Sequence, residues 1–132
     1  MFRTTDLARV IVATADVEAA VATFRKNFGF DARPEAGGTL PDARSASLGI
    51  AAAEIEFAAP SESGSPLDAF LAERGPGLFE IVLEVDDLEA AAIELAERGL
   101  DVARGSTADG RPKLLLSPAQ TNGARIALVP AA

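Results

Sequence analysis

The chain has 132 residues, a net charge of −8, and neither cysteine nor histidine. Those two absences exclude disulfides, thiolate chemistry, a histidine general base and the commonest zinc ligands. The acidic balance argues against nucleic acid as a partner, because phosphate binding needs a basic footprint.

The opening, MFRTTDLARV, lacks the apolar stretch of a secretory signal, and the chain has no run of 18 apolar residues. No membrane span is expected, and a cytoplasmic location is the expectation. LARVIVAT (7–14) reads as a strand by its β-branched content. A helix capped at or just before Asp16 follows to about Phe28, with Val17, Val21, Phe24 and Phe28 forming one apolar stripe and Gly29 ending it. Residues 31–43 read as a weak strand and a loop around Gly37-Gly38. ARSASLGI (43–50) and AAEIEFAA (52–59) read as a hairpin. In the following stretch Ser65 as N-cap, Pro66 at the first helical position and Gly75 past the end frame a short helix, LDAFLAER. A strand over 78–85 comes next, then a helix from about Asp87 to Arg98, with Asp86 and Glu89 in capping-box spacing. A short strand near 101–104 and a final pair, KLLLSP and ARIALVP, complete the chain, with turn dipeptides at Asp109-Gly110 and Asn122-Gly123.

The second half repeats the first at an offset of 71 positions. Val10 matches Ile81, Val12 matches Leu83, Asp16 matches Asp87, Glu18 matches Glu89, and Ala19 and Ala20 match Ala90 and Ala91. Near the ends of the halves, Ile55 matches Ile126 and Phe57 matches Leu128. A repeat of this length marks two copies of one structural unit. The predicted fold class is α+β, with two tandem βαβββ modules in a single domain, 1–132. Module 1 spans 5–60, a connector with the short helix spans 61–77, and module 2 spans 78–132. One domain's worth of chain requires the modules to share a core. Many alanines and seven phenylalanines build that core from small parts and leave room for a cavity.

Side chains along a strand alternate between faces. Phe79, Ile81, Leu83 and Val85 are therefore expected under the second helix, with Glu80, Val82 and Glu84 opposite. The same register puts Val10 and Val12 under the first helix and Arg9, Ile11 and Ala13 opposite. In the hairpin Ile55, Phe57 and Ala59 face the helix and Glu54, Glu56 and Ala58 face away, as do Arg125, Ala127 and Val129 in the last strand. Each sheet thus has a face that mixes acids, arginines and small residues. Such a face is either plain solvent exposure or the wall of a site.

Two tandem βαβββ modules, each opening with a strand that runs into a D-L/V-E-A-A helix, resemble the vicinal oxygen chelate superfamily, home of glyoxalase, ring-cleaving dioxygenases and bleomycin resistance proteins. SPLDAFLAERGPGLFEIVLEVDDLEAAAIELAERGLDV, with GRPKLLLSPAQTNGARIALV after it, is most similar to the methylmalonyl-CoA epimerases. The resemblance implies sheets curling around a shared cleft, a homodimer, and a divalent metal held by the first and last strands of both modules. The metal-ligand positions fall on Arg9, Glu56, Glu80 and Ala127. Only two of these suit a hard cation, so no metal or other cofactor is expected.

Arg9 and Glu80 hold equivalent positions, so the pseudo-twofold axis is expected to bring them together beside Glu56. Arg9 then sits between the two carboxylates in place of the metal charge, or the three residues merely plug a disused site. A third reading makes Glu56 or Glu80 a catalytic base toward a proton beside a carbonyl, its pKa raised by burial. Arg9, Glu56, Glu80 and Arg125 are the candidate ligand-binding residues. Glu54, Glu84 and Arg125 fit the cleft mouth or exposed pairing, and Arg111, Lys113 and Arg125 a solvated basic edge or a contact for an anionic tail. Gly75-Pro76-Gly77 is a turn signal, and Asp16, Glu18, Asp87 and Glu89 suit helix starts. The leading functional expectation is a binding module for a small molecule, neutral or cationic given the acidic chain. The competing one is an isomerase or lyase acting on a CoA ester or another carbonyl compound.

Overall fold

The computed structural model describes residues 1–35 and 38–131, so Gly37 of the expected Gly37-Gly38 turn lies outside the described residues. The strand β1 (Thr4–Ala13) leads into the helix α1 (Val17–Phe28), followed by β2 (Arg33–Glu35), β3 (Ala43–Ile50) and β4 (Ala53–Pro60). The helix α2 (Pro66–Arg74) intervenes, and the order then repeats as β5 (Gly77–Val85), α3 (Leu88–Glu97), β6 (Val102–Ser106), β7 (Pro112–Leu116) and β8 (Ile126–Pro130). No helix among the described residues is long and apolar enough to cross a membrane.

Local chemistry sets the helix ends. Asp16 accepts the backbone N–H of Ala19 at 3.1 Å, and Gly29 takes the left-handed conformation, φ 74°, that closes α1. Ser65 caps α2 in the same way through Asp68 N–H, with Pro66 at the first helical position. The cap of α3 is Asp87, which accepts from Ala90 at 3.0 Å, and not the expected Asp86. Asp86 is instead taken by the backbone N–H of Arg3 at 2.8 Å.

All eight strands form one curled sheet in the order β2-β3-β4-β1-β5-β8-β7-β6. The antiparallel pair β1 and β5 joins the modules at its centre, and within the modules β1 runs parallel to β4 and β5 parallel to β8. The helices α1 and α3 cover one face. Under α1 lie Val17, Ala46, Leu48, Phe57 and Ala59, and under α3 lie Val85, Leu88, Leu95, Leu114 and Leu128. The opposite face buries Ile11, Ala13, Ala58, Val82, Ala127 and Val129 with Leu67 of α2. Among the apolar residues assigned a face from the sequence, the two faces follow strand alternation with one exception. Phe79, expected under α3, packs instead with this last group, its ring 5.3 Å from that of Phe70. The cause is a β-bulge, for Ile11 pairs with Glu80 but Val12 pairs with Leu78, so one extra residue of β5 breaks the alternation.

Candidate functional site

Parallel pairing of β1 with β4 sets Arg9 directly beside Glu54. The guanidinium donates Nη2 to Glu54 Oε2 at 2.9 Å and Nη1 to Glu56 Oε1 at 2.5 Å. Glu56 is 0% exposed. It also accepts Thr39 N–H at 3.1 Å and Thr39 Oγ1–H at 2.9 Å on Oε1, and Ser45 Oγ–H at 3.2 Å on Oε2. Both oxygens are occupied, so Glu56 suits holding Arg9 and the 38–39 backbone more than receiving a proton. Close approach makes Gly38 obligatory here. A Cβ built on it would lie 2.7 Å from Ser45 Oγ and 2.8 Å from Glu56 Oε2.

The second module is dressed differently. Glu80, 1% exposed, accepts Arg125 Nε–H on Oε1 at 2.9 Å, while its buried Oε2 has no hydrogen-bond partner among the described residues. Burial pushes the Glu80 carboxyl above the ordinary glutamate range; the positive charges of Lys113 and Arg125 act against this, and the nearby Glu56 charge adds to it. Arg125 also lies over the Phe79 ring, 4.8 Å from its centroid. Lys113 is 5% exposed and forms no hydrogen bond or ion pair among the described residues. Burial pulls its ammonium below the ordinary lysine range, against the attraction of Glu80 and with repulsion from Arg125.

The structure thus corrects the expected arrangement of Arg9 between Glu56 and Glu80. Arg9 lies between Glu54 and Glu56, and Glu80 pairs with Arg125. The reason is register. In the central antiparallel pair Arg9 faces Val82 and Glu80 faces Ile11, whereas each module's own parallel pair sets its partner alongside. Glu54 and Arg125, read from the sequence as cleft-mouth residues or exposed pairs, are the principal partners. The expected basic edge is divided, with Arg111 half-exposed beside Asp109 at 3.4 Å and Lys113 and Arg125 turned into the cleft. Glu84 joins neither cluster; its carbonyl accepts from Thr5.

Two hollows flank the Phe79 and Arg125 side chains. One, of about 380 Å³, is lined by Phe70, Leu78, Phe79, Glu80, Ile81 and Arg125. The other, of about 210 Å³, is lined by Leu40, Leu67, Phe79, Lys113, Leu115 and Arg125. The sequence offered Lys113 only as part of a basic edge or a contact for an anionic tail and Gly38 only as part of a turn, and it did not single out Thr39 or Ser45. The signal at Lys113 was strand alternation, which puts it on one face with Leu115.

The four positions at which the resemblance places metal ligands, Arg9, Glu56, Glu80 and Ala127, do not fit a divalent cation. A guanidinium touches Glu56, the Glu56 oxygens already accept from Thr39 and Ser45, and Ala127 offers no donor. What remains is a set able to bind and to handle a proton. A buried carboxylate, with one oxygen unpartnered among the described residues, lines a hollow of mixed polar and apolar character, with cations beside it.

A family model described as "Glyoxalase/Bleomycin resistance protein/Dioxygenase superfamily" matches residues 9–114. The chain is 32% identical over 133 residues to an ethylmalonyl-CoA/methylmalonyl-CoA epimerase of Cereibacter sphaeroides, covering 92% of this chain and 95% of the relative. Among solved structures it is similar to methylmalonyl-CoA epimerase from Mycobacterium tuberculosis, with a TM-score of 0.85, 27% identity, and coverage of 98% of this chain and 89% of that one. A methylmalonyl-CoA epimerase in complex with methylmalonyl-CoA and NH4+ superposes with a TM-score of 0.83 at 25% identity, covering 98% and 96%.

Proposed function

The chain belongs to the glyoxalase/bleomycin resistance protein/dioxygenase superfamily, and on that premise we propose that it binds a small organic molecule in the cleft between its modules without a metal ion. The carrying observation is that Arg9 and Glu56 occupy, as an ion pair, two positions where the resemblance places metal ligands, while a hollow of about 210 Å³ lined from both modules, by Leu40 and Asp42 as well as Phe79, Lys113 and Arg125, stays open. A mostly apolar hollow with a few convergent charges is the usual form of a small-molecule site. The test is calorimetric binding of small carbonyl compounds and acids, with and without EDTA. Binding unchanged by EDTA is expected; affinity lost in chelator and restored by a divalent ion would overturn the reading.

A second reading is favoured by the free oxygen of Glu80 and by the relatives named as epimerases. Here Glu80 Oε2 takes the proton from a carbon beside a carbonyl, and the C–H electron pair moves onto the carbonyl oxygen as an enolate. Arg125 supplies the charge that stabilises this oxyanion. A proton from water on the other face of the planar enolate gives the epimer, and Glu80 returns its own proton to the solvent. Deuterium uptake from D2O at C2 of methylmalonyl-CoA, followed by NMR in EDTA, checks it. Uptake abolished by Glu80→Gln supports isomerisation, and no uptake above the uncatalysed rate leaves the binding role alone.

A further inference from the structure

The two modules differ at one donor and its acceptor. In module 1 Ser45 donates to Glu56, and Ala46, the residue after Ser45, pairs with Phe57. In module 2 Leu114 pairs with Leu128, the counterpart of Phe57, so Lys113 holds the place of Ser45. The counterpart of Glu56 is Ala127. Lys113 is therefore a buried donor in a position whose carboxylate has been deleted from its own module.

We propose that Lys113, with Arg125, receives the carboxylate of a small monocarboxylic acid whose apolar body fills the hollow against Leu67, Phe79 and Leu115. This rests on the cleft-binding reading above and names its ligand class. Three features carry it. Lys113 is 5% exposed and has no ion-pair partner within 4.0 Å among the described residues, a costly state that an incoming anion relieves. Charge is the second. Glu54 and Glu56 are both held by Arg9, and Glu80 by Arg125, which leaves Lys113 as the cleft cation with no ion-pair partner of its own among the described residues. Glu80, and Asp42 at the rim, disfavour a dianion, so one negative charge is the match. Size is the third. A hollow of about 210 Å³ is smaller than the roughly 300–1,000 Å³ of sites for drug-sized ligands, so the acid is compact. The local field thus reverses the preference for neutral or cationic ligands that the net charge of −8 suggests.

The test uses the full chain in EDTA at neutral pH, with 3-methylbutanoate, its neutral amide and inorganic phosphate as probes. Binding is read from the methyl resonances of Leu67 and Leu115 and from the melting temperature. The acid is expected to bind about tenfold or more tightly than the amide, as a charge-assisted contact requires. Lys113→Met, with an unchanged circular dichroism spectrum, is expected to remove that advantage, and Lys113→Arg to keep most of it. Equal shifts of the same methyls by acid and amide would overturn the carboxylate site and leave the cleft-binding reading standing. Phosphate binding more tightly than the acid would overturn the choice of ligand. Methyl resonances that none of the three probes moves would overturn the inference and count against the cleft reading as well.

Discussion

Arg125 donates its Nε–H to Glu80 at 2.9 Å, and this ion pair is the first module's Arg9–Glu54 pair with its charges exchanged. Glu80 stands 71 positions after Arg9 and Arg125 stands 71 after Glu54. Duplication kept the place of the pair on the first and last strands and inverted its polarity. The third member, Glu56, has only Ala127 as its counterpart, so one module is electrostatically closed and the other is left with a spare oxygen and a spare ammonium.

Arg9→Ala removes the cation from a wholly buried carboxylate. Thr39 and Ser45 still donate to Glu56, but its charge is left uncompensated. A loss of about 3 kcal/mol is expected, the low end for a broken buried pair because Arg9 is a fifth exposed. Chemical denaturation checks it. Adding Glu56→Gln to Arg9→Ala should cost less than the sum of the single changes, and strict additivity would refute the coupling.

Gly38→Ala is expected to destabilise by about 1–3 kcal/mol, because the added methyl meets Ser45 Oγ and Glu56 Oε2 at under 3.0 Å. The neighbours that must move are the ones that hold Glu56. Pairing the change with Glu56→Ala should recover part of the loss, measured as a rise in melting temperature over Gly38→Ala alone.

Glu80 makes stability pH-dependent. Its folded-state pKa lies above the ordinary 4.5, so between these values the native state holds more protons than the unfolded one. The stabilisation is complete below 4.5 and is lost as pH rises through the folded value. Glu80→Gln should flatten that fall, which denaturation curves at successive pH values from 4 to 8 would show.

Lys113 acts in the opposite sense. Its folded-state pKa lies below the ordinary 10.5, so its proton-linked stability is complete above 10.5 and is lost as pH falls through the folded value. Lys113→Met should therefore stabilise the chain at neutral pH, by about 1 kcal/mol. It also removes a charge that holds Glu80 down, so the Glu80 carboxyl should titrate still higher. Carbon-detected NMR titration of the glutamate carboxyls would reveal this; an unmoved Glu80 would show the two groups to be uncoupled.

Which faces the strands present, apart from Phe79, where the helices start and stop, and that one unit is repeated were legible in the residue order. These properties depend on near neighbours: a period of two along a strand, an Asp or Ser before a helix, a Gly after it. The same order excluded histidine and cysteine chemistry. Partners in the cleft were decided by tertiary structure, because Arg9 meets Glu54 and Glu80 meets Arg125 across 45 residues of chain, through a register that only the assembled parallel ladders define. A bulge opposite Ile11 sent Phe79 to the cleft, and the approach of residues 65–67 made Lys113 a wall of that hollow and not a solvated edge. Burial and register are properties of the whole sheet, and no local stretch of sequence carries them.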